Sequence, residues 1–400
     1  MLHYLKFTTF PLIAIGVMHA MMQGGAWMYT GILSLVFVVA LGDILLPDDR
    51  SEPRMEGEFF LNLMLWLTLP ILMWVTLCFT WAVAPVDVLG MDAFMKNTFG
   101  YDRLQLQADT TWYQWFVGAV AGAFLFGAGG TNVGHELTHR TYSMRDMILG
   151  RWMLAFTCDA SFAIEHVYGH HKNLGTPADP ATAQRGENVY GFVLKSTIGG
   201  YKSAWKLEKQ RLAKFNQSVW NPIHSRMMRG NLMSLGLFAV SFYIGGWAGV
   251  VLFWIMSAGG KTLLEIVNYM EHYGIVRRPE DKVEPRHSWN TNASVSTALL
   301  YALTRHSHHH AEADQEYWNL RSYRHAPMLP TGYLGTILLA LVPPLYKKVM
   351  TPLLNHWDET FATPEEKKLA IEASLKSGMK GLKSAQLGQQ VGQNMNRAAA

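Results

Sequence analysis

The chain has 400 residues, half of them hydrophobic and only 16% charged, with 14 Trp, 19 Phe and 22 Met. That balance is too apolar for an ordinary soluble protein of this length and points to a membrane protein with a substantial polar part. The net charge of +4 is mild and no basic run carries interleaved aromatics, which argues against nucleic-acid binding, while two cysteines without a CxxC exclude an internal cysteine-ligated metal centre.

The first apolar stretch lacks a small-residue cleavage site and reads as a retained membrane helix rather than a signal peptide. Crossing the hydrocarbon takes about 20 residues. Residues 4–22 and 26–46 qualify, joined by a Gly24-Gly25 turn, and residues 59–84 follow with Pro70 as an expected kink. After a polar loop at 85–110 come residues 111–134, then 231–245 and 247–270, split at Gly245-Gly246. The chain therefore reads as an all-α membrane protein with six transmembrane helices in three hairpins.

The segment 135–230 carries 13 Lys and Arg, and the region after 273 is also rich in them. Both are expected on the cytoplasmic side, together with both termini. Within the spans, Asp43 lies near the cytoplasmic end of the second helix. Lys261 and Glu265 are spaced for an i,i+4 pair, facing the bundle or serving a site beside it. Gly127-Ala-Gly129-Gly130 precedes no nucleotide-binding unit and reads as close helix packing. Residues 333–346 are apolar but too short to span, and read as an interfacial segment. Thr363-Pro-Glu-Glu366 is a capping box that should open a helix to about residue 384. Residues 385–400 read as a polar linker or disordered tail.

Four histidine stretches dominate the chemistry. They are His135-Glu-Leu-Thr-His139, His166-Val-Tyr-Gly-His170-His171, Glu271-His272-Tyr273-Gly274 and His306-Ser-His-His309-His310. Helical positions i and i+4 share a face, so each box can aim imidazoles at one point. Nine imidazoles are too many for one metal ion and enough for two. Neutral imidazole suits iron, zinc, copper and nickel. A zinc intramembrane protease would use His135-Glu136-x-x-His139 with Glu136 as base, and leaves seven histidines idle. A metal transporter would place its site at the bilayer midplane. A dinuclear iron oxygenase or desaturase uses every box, and the topology gathers all four at the inner mouth of the bundle.

The residues also carry a resemblance. HELTHR, EHVYGHHK followed by TPADPAT, NYMEHYG and RHSHHHA resemble the integral-membrane alkane hydroxylases, and more distantly the xylene monooxygenase hydroxylase component. RGENVYGF, QSVWN, RHSWN and LPTGY look similar too. The likeness runs from about residue 26 to about residue 362, and NYMEHYG is the stretch that desaturases lack. It implies the metal ligands His135, His139, His166, His170, His171, His272, His306, His309 and His310. His308 falls at a spacer position. Residues 1–384 are read as one membrane hydroxylase domain, and a bacterial inner membrane is the expected location. The cofactor would be two non-haem irons, and the reaction would use dioxygen for terminal hydroxylation of medium-chain alkanes to 1-alkanols. Methyl-aromatic oxidation of the xylene type is the alternative, because the ending around His356-Trp-Asp358 is similar to both.

Glu136, Asp179, Glu187 and His287 are expected to hold the imidazoles in place. Asp159, Glu165 and Glu271 read as solvated carboxylates. Phe37 would block the far end of a substrate channel. Electrons have no internal source, so the resemblance implies rubredoxin, reduced by a flavin-dependent NADH–rubredoxin reductase and docking on the cytoplasmic face. Arg277, Arg278, Lys282, Arg321 and Arg324 form a candidate docking patch.

Overall fold

The computed structural model describes residues 2–323 and 325–399, and Arg324 lies outside them. Among the described residues the fold is helical, with one isolated bridge between Asn290 and Met328. Five helices are long and apolar enough to cross a membrane: His3–Gln23, Trp27–Leu45, Glu58–Ala82, Trp112–His139 and Arg226–Glu271. The first two join at Gly24 and Gly25, with φ of 69° and 51°, a left-handed turn that glycine adopts without a Cβ penalty. The third is interrupted at Leu67, between Trp66 and Thr68. The cause lies at Pro70, which has no N–H for the Trp66 carbonyl.

Arg226–Glu271 has 46 residues, about 69 Å if straight, roughly twice the hydrocarbon thickness. It is not straight. Gly246 sits at φ 58° and ψ −151°. A Cβ on Gly249 would come within 2.5 Å of the Ser241 carbonyl, so the chain doubles back there. The two arms meet at Gly246, within the Gly245-Gly246 pair where the apolar run divides in sequence.

The stretch 85–110 is more ordered than a loop. Met91–Phe99 and Arg103–Asp109 are helices, tied by Arg103 to Asp92 at 2.8 Å. The glycine run 127–130 lies in a π-helical turn, where a Cβ on Gly129 would overlap the Phe10 ring. Asp43 accepts the backbone N–H groups of Val295 and Ser296, both at 2.9 Å, and so fastens the second membrane helix to the segment before the last histidine box.

A second core lies beyond the bundle, around Tyr269, Tyr273, Trp289, Tyr346 and Trp357. Helices Tyr333–Ala340, Pro343–Thr360 and Pro364–Ser377 cover it. The capping box at Thr363 and Glu366 forms, but its helix stops at Ser377, where Gly378 turns left-handed at φ 65°. Lys383–Ala399 is a further helix folded against Pro364–Ser377, which replaces the linker or disordered tail expected at 385–400. Arg185 knits this end together, binding Asp358 at 2.6 Å, Ser374 and the Gly274 carbonyl.

Candidate metal centre

Membrane helices place two of the four histidine stretches directly. His135 and His139 are the last turns of Trp112–His139, and His272 comes immediately after Arg226–Glu271. His306–Ala311 is a short helix of its own. The middle box is helical over 162–173, with a π turn at His166–His170.

The imidazoles converge through their Nε2 atoms. His139 lies 3.1 Å from His135, His135 lies 3.0 Å from His309, His309 lies 3.2 Å from His171, and His171 lies 2.9 Å from His166. These five form one group with metal-ligand spacing. His170, His272 and His310 form a second such group. His306 joins it, 2.9 Å from His310 and 3.2 Å from His272. Glu271 completes this side, its Oε2 3.2 Å from His306 Nε2.

The donors fit a metal. Burial first, then neighbouring imidazoles, push His166, His171, His272, His306, His309 and His310 well below the usual histidine range. They are therefore neutral, the form that ligates. His170 differs: burial lowers it, but the Asp179 charge and hydrogen bond outweigh burial and raise it. The buried His170 Nε2 has no hydrogen-bond partner. Burying a polar nitrogen without a partner is costly, and a metal ion would satisfy it. A nitrogen-rich set with one carboxylate suits a borderline transition metal.

Of the four residues expected to hold imidazoles, one touches the cluster. Asp179 Oδ2 is 2.9 Å from His170 Nδ1 and also accepts from Thr182 Oγ1 at 2.6 Å. Glu136 instead binds Arg140 at 2.9 Å and accepts the Tyr317 N–H, so it is neither an orienting group nor a free base beside the HExxH pair. Glu187 is paired with Lys195 at 2.8 Å. His287 is engaged on both ring nitrogens, accepting the Glu284 N–H and donating to Glu366 at 2.8 Å.

Glu271 is the residue that reading by sequence undervalued. It is 1% exposed, next to His306, and accepts the Tyr333 hydroxyl. Its position beside His272 was the available signal. Asp159 and Glu165 are buried too, rather than solvated. His308 contacts the Arg321 N–H and not the cluster.

The docking patch changes as well. Arg277 is 2% exposed and donates to the Leu174 and Lys172 carbonyls, bracing the middle box. Arg278 pairs with Asp281 at 2.6 Å. Lys282 and Arg321 remain exposed.

One cavity reaches the cluster at His139, beside Glu136 and Arg140, and two others adjoin further imidazoles. The larger of these two, about 890 Å³, is walled by apolar residues including Leu35, Val39, Phe124, Leu263 and Leu334, and ends at His135, His166, His306, Glu271 and Tyr333. Phe37 is not in it. It is 57% exposed on the outside of its helix, while Leu35 and Val39 face inward. The smaller cavity, about 340 Å³, holds Asp159, Glu165, Lys261 and Glu265 and reaches His166 and His170 from the other side. Lys261 pairs there with Asp159 at 2.5 Å and with Glu265 at 2.6 Å, so it has two partners instead of the one expected.

Comparison with known proteins gives the chain's family. A family model described as fatty acid desaturase matches residues 110–339. An alkane 1-monooxygenase of Ectopseudomonas oleovorans is 31% identical over 362 residues, covering 87% of this chain and 83% of the relative. Alkane 1-monooxygenase 2 of Alcanivorax borkumensis is 33% identical, covering 86% and 87%. The hydroxylase component of a Pseudomonas putida xylene/toluene monooxygenase is 29% identical, covering 94% and 95%.

Proposed function

The chain belongs to the alkane 1-monooxygenase family and to the wider fatty acid desaturase family, and from that premise we propose that it hydroxylates the terminal methyl of medium-chain alkanes to 1-alkanols at a non-haem di-iron centre. The observation that carries this reading is the apolar cavity whose floor is the histidine cluster. Its nine ligands would be His135, His139, His166, His171 and His309 on one side, and His170, His272, His306 and His310 on the other. Iron held there supplies the reduction of dioxygen and the attack on an unactivated C–H bond.

The protein's own contribution is position and dryness. An alkane has no polar handle, so shape alone must orient it. Each buried methylene contributes about 0.8 kcal/mol, and a chain filling the cavity end-on presents its terminal methyl to the imidazole floor. Asp179 keeps a proton on His170 Nδ1, which leaves the Nε2 lone pair free for a metal. Tyr333 and Glu271 close the floor beside His306. Buried Asp159 and Glu265, with the half-buried Lys261 between them, form a separate polar wall on the far side of the cluster.

Electrons come from outside the chain, in this reading from rubredoxin and its flavin-dependent NADH reductase. The protein crosses a bacterial inner membrane six times, with both termini and the histidine cluster on the cytoplasmic side. A methyl-aromatic substrate is the second reading, favoured by the likeness to the xylene/toluene component along 94% of the chain. Metal analysis and product analysis test these statements together. The purified protein should hold two irons per chain, and with rubredoxin it should convert octane to 1-octanol faster than xylene to methylbenzyl alcohol. One zinc and no iron would overturn the metal assignment, and preference for xylene would overturn the substrate.

A further inference from the structure

Helix Val189–Ala213 belongs to the segment that its charge assigns to the cytoplasm. One face is buried against the protein through Val189, Phe192, Ser196 and Ala204. A second face is apolar and bare: Tyr190 is 59% exposed, Leu194 66%, Ile198 53% and Tyr201 40%. Steps of four, four and three residues put these on one stripe. At about 100° per residue, Lys202, Lys206 and Lys209 lie roughly 90° round from it. All three lysines are exposed. The helix's single acid, Glu208, is 1% exposed and is taken by Arg211 at 2.7 Å. The outer surface of the helix is thus apolar and basic with no acidic residue.

The stripe continues beyond the helix. Tyr190 donates its hydroxyl to the Leu341 carbonyl at 2.7 Å. That joins it to Leu338, Leu341, Val342 and Leu345, which are 37% to 50% exposed. At the other end, Phe215, Trp220 and Ile223 are 65% to 75% exposed in the connection that runs into membrane helix Arg226–Glu271.

We propose that Val189–Ala213 and the 338–345 turn form a belt lying in the membrane interface, with the apolar stripe against lipid and the lysines on anionic phospholipid headgroups. An apolar stripe flanked by lysines is the composition of an in-plane interfacial helix. Lysine stems reach from the apolar level up to the headgroups. Continuity with a membrane-crossing helix sets the level of the belt, and the absence of exposed acid fits a negatively charged surface.

The test uses the full chain in lipid nanodiscs, with Cys158→Ala as background and single cysteines at Leu194, Ile198 or Lys206 carrying a fluorophore. Labels at 194 and 198 should be quenched severalfold more by lipids brominated on the acyl chain than by aqueous iodide. The label at 206 should show the reverse. Iodide quenching at 194 and 198 equal to that at 206 would overturn the proposal. So would protection from both quenchers together with crosslinking between copies, which would make the stripe a protein interface. Adding phosphatidylglycerol to phosphatidylcholine should raise acyl-chain quenching at 194, and Lys202→Gln with Lys206→Gln and Lys209→Gln should abolish that rise. No response to phosphatidylglycerol in the parent protein would overturn the anionic part.

Discussion

His166 Nε2 lies 2.9 Å from His171 Nε2, although the two are five residues apart. On an α-helix that spacing would separate them by about 140°. The π turn His166–His170 widens the winding by one residue, with the His171 N–H bonded to the His166 carbonyl. His171 therefore swings onto the face of His166, and His170 is turned toward His272 and His310. One helical turn thus serves both imidazole groups. Two other π turns, Val36–Leu41 and Phe126–Thr131, line the apolar cavity.

This division predicts separable losses. His171→Ala should remove metal from the five-imidazole group and His170→Ala from the other. Each single variant should keep roughly half of the parent's metal, and the double variant should keep little. Metal-to-protein ratios by mass spectrometry read this directly. Complete loss in both single variants would mean that the groups bind as one site.

Asp179→Asn tests the orienting carboxylate. The amide keeps the shape but removes the charge that favours a proton on His170 Nδ1. Removing such a partner typically costs about 10–100-fold in metal affinity. Dialysis against graded chelator should show the variant releasing metal at a correspondingly lower chelator concentration. A release curve matching the parent would leave Asp179 a merely structural group.

Chain-length selectivity should follow Val39 and not Phe37. Val39 is 4% exposed and faces the cavity, while Phe37 points out. Val39→Phe should depress oxidation of the longest accepted alkanes by roughly tenfold or more relative to shorter ones. Phe37→Ala should leave the profile unchanged. Competition assays with an alkane mixture, read by gas chromatography, distinguish the two.

Glu366 anchors the C-terminal helices to the segment after the third histidine stretch. It binds His287 at 2.8 Å, the Thr363 N–H at 2.8 Å and Arg286 at 3.2 Å. Burial alone would raise its carboxyl, but the bonds from His287 and Arg286 hold it down to about 2. A lowered folded value means that the stabilisation is complete above the unfolded value of roughly 4.3 and is lost as pH falls toward 2. Glu366→Gln should destabilise the protein by about 1–3 kcal/mol at neutral pH. The gap between parent and variant in thermal unfolding should close between pH 4 and pH 2, and a gap constant over that range would rule this account out.

Much of the architecture was legible because its signals are local. Apolar runs marked the membrane helices to within a few residues, Gly246 marked the reversal between two of them, and Thr363 with Glu366 marked a helix start. The nine histidines pointed by number and spacing to clusters that could hold metal, and the structure brings them together in such groups. Readings that depended on the direction of one side chain had mixed outcomes, since Asp179 reaches His170 while Phe37 faces away from the cavity. Phe37 and Val39 differ by two positions in the same apolar run and stand on roughly opposite sides of the helix, so packing against the neighbouring helices decides which of them faces inward. Lys383–Ala399 carries Leu387, Val391 and Met395 at helical steps of four, a pattern that the Gln-, Asn- and Gly-rich composition around it masked.

The sequence by itself determined that this is a helical membrane protein gathering nine imidazoles at one end of its bundle. Hydrophobicity and ligand type are written residue by residue, so they can be read before any folding is known. Tertiary structure alone decided how those imidazoles divide into two groups, that Glu271 joins one of them, and that Asp179 rather than Glu136 or Glu187 braces a histidine of the cluster. Those choices turn on ångström-scale approach between side chains whose separation along the chain runs from 9 residues, for His170 and Asp179, to 174, for His135 and His309. A carboxylate beside a histidine in sequence is equally free to meet an arginine, as Glu136 does with Arg140.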